Sequence, residues 1–555
     1  MSRTTDRSNP ATIAEILRAR ADDPGTALLF EEASWSWSEL VAEAEARARL
    51  LLALRREGPF HVGVLLENVP EYVFLLAGAA LADAVVVGVN PTRRGAELAR
   101  DITHTDCQLL ITSSEHTALL EGLDLGLSPE RLLVVDEPDY AERIEAGRAD
   151  RSGLPAVASG DLYLLLFTAG STGAPKAVRM SQGRAAWGAN GSRFGADDVL
   201  YCVMPLFHGN ALSANVFPAF ATGATIALRR RFSASGFLPD VQRFGCTFFN
   251  TVGRALAFIN ATPPTAHDRE HRLKYVLGPE SSAKDREEFT RRFGVPVIEG
   301  YGSSEGPIIM MPVLGGREGT LGTPFPGYDV AVVDPDTSEE RPRARFDADG
   351  HLLNPTEAIG EIVGRNRAGA FEGYWKNPEA EAERTRNGWY WSGDLGYRDE
   401  DGVFYFAGRT GDWMRVDAEN LACAPIERVL LRFDGVTGAA VYPVPDVRTG
   451  DQVMAALELE PGTSFDPEAF ARFVAEERDL GTKSAPRYVR IVTALPVMGT
   501  NKVDKRRLRT EGWDCADPVF VREGERYVSL TGENVAALGA ELAANDRSHL
   551  LKVGG

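Results

Sequence analysis

The stretch that decides the fold reads Thr168-Ala169-Gly170-Ser171-Thr172-Gly173-Ala174-Pro175-Lys176. It directly follows an apolar run, Leu162–Phe167, which predicts a buried strand. Small residues and hydroxyls let backbone N–H groups close around phosphate oxygens, and Lys176 adds a positive charge. The stretch is not a Walker A loop, because no Gly-Lys-Ser/Thr sequence closes it. Its composition alone is also that of a plain turn, so the rest of the chain has to decide between the two.

The chain around this loop alternates helical segments with short apolar runs. The runs that predict strands upstream are His61–Leu66, Ala84–Val89, Gln108–Thr112 and Leu132–Val135. This alternation is typical of parallel βαβ units. The apolar stretch from Tyr72 to Val89 resembles a membrane span, but Asp83 interrupts it, so we predict a packed helix followed by a buried strand. From Gly360 short strands and turns dominate, and from Ala424 helices and strands resume on a smaller scale.

Composition indicates an acidic, multidomain enzyme. The 555 residues are 44% hydrophobic, which excludes wholesale disorder, and 60 Lys plus Arg against 79 Asp plus Glu give a formal charge of −19. That charge argues against broad binding to nucleic acids or anionic membranes. The five cysteines include no CxxC pair, and the first residues lack the apolar core of a signal peptide. We therefore expect a cytoplasmic protein without nucleic-acid partners or a membrane span; its oligomeric state is not readable from the sequence.

Further motifs follow the loop in a fixed order. They are Tyr301-Gly302-Ser303-Ser304-Glu305, Trp391-Ser392-Gly393-Asp394-Leu395-Gly396, Gly408-Arg409-Thr410-Gly411-Asp412 and Thr500-Asn501-Lys502-Val503-Asp504-Lys505. Over nearly the whole chain, this series resembles the adenylate-forming superfamily of acyl-CoA synthetases, peptide-synthetase adenylation domains and luciferases. The stretches Arg409–Arg415 and Glu419–Leu421 are similar to the fatty-acid-CoA-ligase branch.

The resemblance implies an α/β fold with two functional parts. A large N-terminal body, residues 1–411, would contain parallel αβ layers and a small β subdomain, and would bind ATP and the acid. A mobile, small α+β C-terminal domain, residues 412–530, would carry the catalytic lysine, with a tail over residues 531–555. Asp412 matches the hinge about which the small domain rotates.

The resemblance also implies the reaction and its residues. An acid attacks the α-phosphate of ATP to give an acyl adenylate and pyrophosphate, and the thiol of CoA then displaces AMP. Lys502 matches the lysine that bridges the acid oxygen and the α-phosphate, Ser304 matches an α-phosphate contact, and Glu305 matches the carboxylate that holds Mg2+. The residues implied in ATP binding are Thr168, Gly170, Ser171, Thr172, Gly173 and Lys176 for the phosphates, Gly278, Glu280 and Tyr301 for adenine, and Asp394 and Arg409 for ribose.

The acid pocket is implied by fewer residues. His208, in Pro205-Leu206-Phe207-His208-Gly209-Asn210, matches an aromatic position beside the family's acid pocket, and Asn210 lies in the same stretch. Gly300 and Gly302 would leave room beside the adenylate. A lone histidine is also a common structural residue, so this part of the assignment depends on the motif order.

One departure from the family pattern leaves the acceptor open. Relatives usually have glycine where this chain has Ala418, on the segment along the pantetheine tunnel, and an added methyl group could narrow that tunnel. An acid:CoA ligase acting on a fatty or aryl acid is therefore one interpretation. A second is a diazotase that activates nitrite with ATP and transfers it to an arylamine without CoA. A third is a non-catalytic nucleotide-binding relative, against which the retained site residues argue.

Overall fold

The computed structural model describes residues 10–168, 176–313, 317, 319–348, 350–410, 413–416, 419–447, 450–477, 480, 483–498, 502–545 and 547. The chain divides into two compact units. Unit 1 comprises Met1–Ile298, Ser303–Gly306 and Gly369–Glu383, and unit 2 comprises Glu299–Gly302, Pro307–Ala368 and Arg384–Gly555. This division follows contacts within the chain, and the functional domains derived from the sequence stay a prediction.

Unit 1 contains two mainly parallel sheets. Within the described part of unit 1, the larger sheet has seven strands, in spatial order Val297–Ile298, Tyr275–Leu277, Phe248–Asn250, Val199–Cys202, Thr225–Leu228, Thr26–Phe30 and Ala33–Ser36. The smaller sheet has six described strands, in the order Leu132–Val134, Cys107–Thr112, His61–Leu65, Val85–Gly88, Leu162–Thr168 and Lys176–Ser181. Only the last strand of each order runs antiparallel to its neighbour. The βαβ prediction is therefore confirmed.

Helices pack on these sheets for reasons visible in the sequence. The helix Trp37–Leu54 follows its N-cap Ser36, which forms a capping box with Glu39. The helix Pro70–Leu81 is buried from Tyr72 onward and precedes the strand Val85–Gly88, so the apolar stretch is a core helix and a strand, as predicted. The other helices of unit 1 are Ile13–Arg18, Gly95–His104, Ser114–Thr117, Pro138–Ala149, Gln182–Asn190, Gly209–Ala211, Phe217–Thr222, Ala234–Phe244, Ala255–Asn260 and Ala283–Phe293, with a π-helix at Leu212–Val216 and a 3-10 turn at Pro129–Arg131. The helix Pro378–Arg384 begins in unit 1 and ends on the first residue of the following unit 2 segment.

Unit 2 is built on mainly antiparallel sheets. In its described residues, one sheet has the order Tyr301–Gly302, Ile309–Met311, Thr320–Pro324, Phe404–Arg409, Trp389–Arg398, Gly360–Gly364 and Val330–Val333, with Thr385–Arg386 also paired to Trp389–Arg398. A hairpin of Trp413–Val416 and Glu419–Ala422 follows, and then a mixed sheet of Val436–Pro445, Asp451–Leu459, Tyr488–Val492, Val519–Glu523 and Arg526–Ser529. The helices are Pro355–Ala358, Cys423–Leu430, Pro467–Glu476, Lys505–Glu511 and Gly532–Ala544.

The parts of the chain match the predicted fold class. Parallel sheets come first, a β subdomain follows, and a smaller α+β region comes last. Within the segment predicted as a tail, Gly532–Ala544 is a helix whose Leu542 is fully buried, so this part of the segment is packed. Across the residues that the structure describes, no helix is both long and apolar enough to cross a membrane.

Candidate active site

The predicted phosphate loop joins two paired strands of unit 1. The antiparallel register of Leu162–Thr168 and Lys176–Ser181 places Thr168 opposite Lys176, so the two ends of the loop are neighbours across the ladder. Residues 169–175, which include Gly170, Ser171, Thr172 and Gly173, lie outside the described residues. What the structure describes of the loop is therefore its first and last residue, at the end of a buried strand.

Lys176 and Glu305 are connected through one tyrosine in unit 1. The Lys176 ammonium is buried and lies 5.7 Å from the centroid of the Tyr374 ring. The Tyr374 hydroxyl donates a hydrogen bond of 3.0 Å to Oε1 of Glu305, whose side chain is also buried. Lys176 Nζ also lies 3.2 Å from Oε2 of Glu383. Tyr374 thus has a buried cation over its ring and a buried carboxylate at its hydroxyl, two groups predicted separately from distant motifs.

Tyr374 and Glu383 belong to a segment that the sequence motifs did not single out. This segment, Gly369–Glu383, packs on the edge strand Lys176–Ser181. Val178 and Tyr374 form an antiparallel bridge, and the backbone N–H of Tyr374 donates to Oε1 of Glu381 at 2.8 Å. Because the bridge joins residues about 200 positions apart, no local periodicity or spacing could have revealed it.

Ser304 is held beside the segment that carries His208. The backbone carbonyl of Ser304 accepts a hydrogen bond from the Arg184 guanidinium. A Cβ atom placed on Gly209 would lie 3.0 Å from Ser304 Oγ, so glycine at this position permits the close approach. His208 precedes the short helix Gly209–Ala211 as its N-cap and is half-buried. The structure therefore brings the predicted α-phosphate contact close to the segment that carries His208 and Asn210.

The turn predicted to flank adenine has a fixed backbone. Glu280 has a φ of +62°, a conformation that is unusual for residues other than glycine. The carbonyl of Gly278 accepts a 2.6 Å hydrogen bond from Ser281 Oγ, and the carbonyl of Pro279 accepts one of 3.0 Å from the N–H of Gly253. Since a left-handed non-glycine residue persists only when its surroundings determine it, these bonds hold the turn in one shape.

Asp394 is the centre of the corresponding cluster in unit 2. Its carboxylate is buried, and Oδ2 accepts a hydrogen bond of 2.5 Å from the Tyr301 hydroxyl. Oδ1 lies 2.9 Å from Nη1 of Arg409, which is paired with Asp394 across the strands Trp389–Arg398 and Phe404–Arg409. Burial, and then the Asp394 charge, raise the pKa of Tyr301 well above its ordinary value, so the hydroxyl keeps its proton and remains a donor. A carboxylate has about four lone-pair sites, which leaves Asp394 acceptor capacity for ribose hydroxyls.

The backbone next to Asp394 requires glycine. Gly393 has a φ of +72°, and a Cβ atom there would lie 2.1 Å from Nη1 of Arg384. Its N–H donates to Oε1 of Glu361 at 2.8 Å. Burial raises the pKa of Glu361, and the hydrogen bond from Gly393 opposes that shift. At the start of the same sheet, a Cβ atom placed on Gly302 would meet no atom of the described residues within 4 Å, and Gly300 is half-buried.

Lys502 lies at the base of a hairpin in unit 2. Its carbonyl accepts a 2.8 Å hydrogen bond from the N–H of Met498, and Val497 pairs with Val503. Three residues on, Lys505 Nζ lies 2.7 Å from Oε1 of Glu427, which ties the hairpin base to the helix Cys423–Leu430. Three residues of interest lie outside the described residues: Asp412, which is the predicted hinge, Ala418 and Asn501.

The order of sheets, with the loop strand in the first part and the Lys502 segment in the last, is the order that the resemblance to adenylate-forming enzymes implies. The family models agree. The model described as AMP-binding enzyme matches residues 17–375, and the AMP-binding enzyme C-terminal domain matches residues 425–502. The chain therefore belongs to the AMP-binding enzyme family.

Curated relatives align over almost the whole chain. A steroid-22-oyl-CoA synthetase of Rhodococcus jostii (strain RHA1) is 52% identical over 550 residues, which are 98% of this chain and 99% of the relative. A medium/long-chain-fatty-acid–CoA ligase of Mycobacterium tuberculosis is 44% identical and covers 92% of this chain and 98% of its own length. Among solved structures, ATP-bound MatB from Rhodopseudomonas palustris superposes with a TM-score of 0.78 at 23% identity, over 90% of this chain and 98% of MatB, which confirms the fold.

Proposed function

We propose that this protein is an AMP-forming acid:CoA ligase whose acid is the carboxylate of a steroid side chain or of a medium or long fatty chain. The observation that carries the proposal is the link between buried Lys176 and buried Glu305 through Tyr374, at the strand pair that bounds the phosphate loop. It sets a fixed positive and a fixed negative side chain beside the predicted polyphosphate position. The names of the two relatives at 52% and 44% identity support the choice of substrate and acceptor.

In the first half-reaction, a carboxylate oxygen of the acid forms a bond to the α-phosphorus of ATP, and the bond to pyrophosphate breaks. Lys176 and the phosphate loop would neutralise charge on the departing pyrophosphate. Asp394 would accept hydrogen bonds from the ribose hydroxyls, with Arg409 beside it at 2.9 Å. Lys502 would bridge the acid oxygen and the α-phosphate as negative charge builds there.

The residues present fit a magnesium ion at Glu305. A carboxylate is the hard oxygen ligand that Mg2+ prefers, and within the described part of the chain the hydrogen bond from Tyr374 occupies only one of its two oxygens. When bound with ATP, Mg2+ supplies charge neutralisation between the phosphates. Tyr374 keeps the carboxylate in one orientation, so its role would be to position the ligand oxygen.

In the second half-reaction, the thiol sulfur of CoA attacks the acyl carbonyl carbon, and AMP leaves. Rotation about Asp412 would withdraw Lys502 between the two steps. Ala418 would lie along the pantetheine tunnel. Because both relatives are named as enzymes that use CoA, we expect the tunnel to admit CoA. The diazotase interpretation is not favoured by these relatives, and the buried charges retained in both units argue against a non-catalytic relative.

A pyrophosphate-release screen tests this proposal. The purified protein is incubated with ATP, Mg2+ and, in turn, a steroid side-chain acid, fatty acids, aryl acids, or nitrite with an arylamine, each with and without CoA. We expect pyrophosphate with steroid or fatty acids, and thioester only when CoA is present. If only nitrite plus arylamine gave turnover, the ligase proposal would be wrong and the protein would be a diazotase. If no condition produced AMP, the protein would be a non-catalytic nucleotide-binding relative. The variant Ala418→Gly should retain thioester formation.

A further inference from the structure

Three asparagines of unit 1, two of them buried, form a chain of hydrogen bonds that ends at Asn210. Asn215 Nδ2 donates to the carbonyl of Tyr201 at 3.2 Å. Asn250 Nδ2 donates to Asn215 Oδ1 at 3.1 Å and to Asn210 Oδ1 at 2.6 Å. Asn215 and Asn250 are both fully buried. Asn215 lies in the π-helix Leu212–Val216, a rare helix type that occurs often at functional sites.

The direction of this chain is fixed by chemistry. A backbone carbonyl can only accept, so Asn215 must present its Nδ2 to Tyr201 and its Oδ1 to Asn250. Asn250 must then present its Nδ2 to both neighbours, and both of its amide protons are used. It follows that Asn210 presents Oδ1 inward and has its Nδ2 group left to donate elsewhere. The usual ambiguity between the two ends of an asparagine amide is thus removed.

The remaining donor group has no acceptor in the part of the chain that the structure describes. Asn210 is half-buried, and its single hydrogen bond in these residues is the one that Oδ1 accepts from Asn250. The cluster also contains buried acceptors without described partners, Oδ1 of Asn250 and Oγ1 of Thr251. Such buried polar atoms are costly unless a water or ligand satisfies them.

We infer that Asn210 is a specificity-determining residue whose Nδ2 group donates a hydrogen bond to an oxygen of the acid, and that Asn250 and Asn215 fix its polarity. This inference rests on the proposed function. Asn210 follows Gly209, which lies against Ser304, the predicted α-phosphate contact. The donor is therefore carried by the segment next to the place where acid and phosphate are joined. The acceptor is an oxygen of the carboxylate or an oxygen on the body of the acid.

Exchange of amide for carboxylate tests the polarity. In Asn210→Asp, the inner oxygen still accepts from Asn250, but the outer group becomes an acceptor that repels the oxygen of the acid. In Asn250→Asp, residue 250 has no donor, so the unchanged Asn210 has to turn its Nδ2 inward and its oxygen toward the acid. Both variants should therefore raise the KM for the acid by about tenfold or more while the KM for ATP stays within about twofold.

The matched control is Asn260→Asp. Asn260 also donates through Nδ2 to a backbone carbonyl, that of Asp285 at 2.9 Å, but within the described residues it makes no hydrogen bond to the asparagine chain. It should leave both KM values unchanged. A merely structural role for Asn210 and Asn250 predicts equal changes in both KM values, or lowered stability without a KM split, and either result would overturn the inference. Asn210→Leu provides a second variant in which the donor is removed without adding charge.

Two acids separate the sources of the acceptor oxygen. A saturated fatty acid has oxygen only in its carboxylate, whereas a hydroxylated or oxo steroid acid has oxygen elsewhere as well. If the Asn210 variants bind both acids more weakly, the acceptor oxygen belongs to the carboxylate. If they bind only the oxygenated acid more weakly, the acceptor oxygen lies on the body of the acid. Pyrophosphate release and calorimetric binding of the acid are measured first with the wild-type protein. Failure of the proposed function would appear in these wild-type measurements, whereas failure of the inference would appear only in the variants. Unchanged acid binding in Asn210→Asp and Asn210→Leu would overturn it.

Discussion

Replacement of Glu383 by glutamine should tighten ATP binding. Glu383 Oε2 lies 3.2 Å from Nζ of Lys176, the cation that we assign to the polyphosphate. The Lys176 side chain is 8% exposed and that of Glu383 is 63% exposed, so the carboxylate belongs to the solvent side of the pair. An incoming phosphate has to compete with this carboxylate for the same ammonium group. Glutamine keeps the shape of the side chain and removes the competing charge.

The size of the effect follows from the distance and the exposure. At 3.2 Å, two unit charges attract by about 1.3 kcal/mol in a water-like dielectric and by about 5 kcal/mol at an effective dielectric constant of about 20. The exposure of Glu383 puts the pair near the first value, and exposed pairs measure about 1 kcal/mol or less. We therefore expect the Kd for ATP to fall by up to about fivefold, and the gain to shrink as salt is added.

The assay is calorimetric titration of the protein with ATP and Mg2+ in the absence of acid. Glu379→Gln is the matched control, since it removes the same charge from the same helix, Pro378–Arg384, at an exposed position. A double-mutant cycle with Lys176→Met isolates the pair, because the effect of Glu383→Gln should vanish when residue 176 is uncharged. The reasoning is refuted if Glu379→Gln tightens binding equally, or if the gain persists in the Lys176→Met background.

Three further predictions use other residues. Lys502→Ala should lower acid-dependent pyrophosphate release by about 100-fold or more with ATP affinity retained, since the lysine acts on developing charge; unchanged release would contradict this. Burial raises the pKa of Asp101 to about 6, against the opposing charge of Arg93, so the folded state binds that proton more tightly and loses stability as the pH rises from about 4 to 6. Asp101→Asn removes this titrating group, so the free energy of unfolding, measured with urea, should fall by about 3 kcal/mol less over this pH range than in the wild type. An unchanged pH dependence in the variant would contradict the prediction. Gly393→Ala should weaken ATP binding several-fold, because its methyl group would meet Arg384 and its φ is +72°; wild-type affinity would refute this.

Local sequence patterns predicted many of the helices and strands, and the order of the motifs indicated the family. Alternation of apolar runs indicated the parallel sheets, and the strand before the loop extends from Leu162 to Thr168, one residue longer than predicted. The capping box of Ser36 and Glu39 is a further local pattern, because both residues lie within one turn of the helix Trp37–Leu54. Family resemblance then supplied residues such as Asp394 and Arg409, and the strand register places these two opposite each other.

What could not be predicted depends on contacts between distant segments. Nothing near Tyr374 in the sequence indicates that its hydroxyl meets Glu305, since the contact requires the segment Gly369–Glu383 to pair with a strand formed much earlier. The asparagine chain is similar, because Asn210, Asn215 and Asn250 show no shared spacing and are neighbours only in the folded structure. The sequence names chemical groups, whereas tertiary contacts decide which of them become neighbours.

The two compact units alternate along the chain, and this has a consequence for recombination. The polypeptide passes from one unit to the other at residues 298/299, 302/303, 306/307, 368/369 and 383/384. A gene exchange with a single crossover near residue 298 would transfer Lys176 without its native Tyr374 and Glu383. A functional exchange of unit 1 between relatives would have to carry the short segments Ser303–Gly306 and Gly369–Glu383 as well. We therefore expect these two segments to be inherited together with the phosphate loop, although hundreds of nucleotides separate them in the gene.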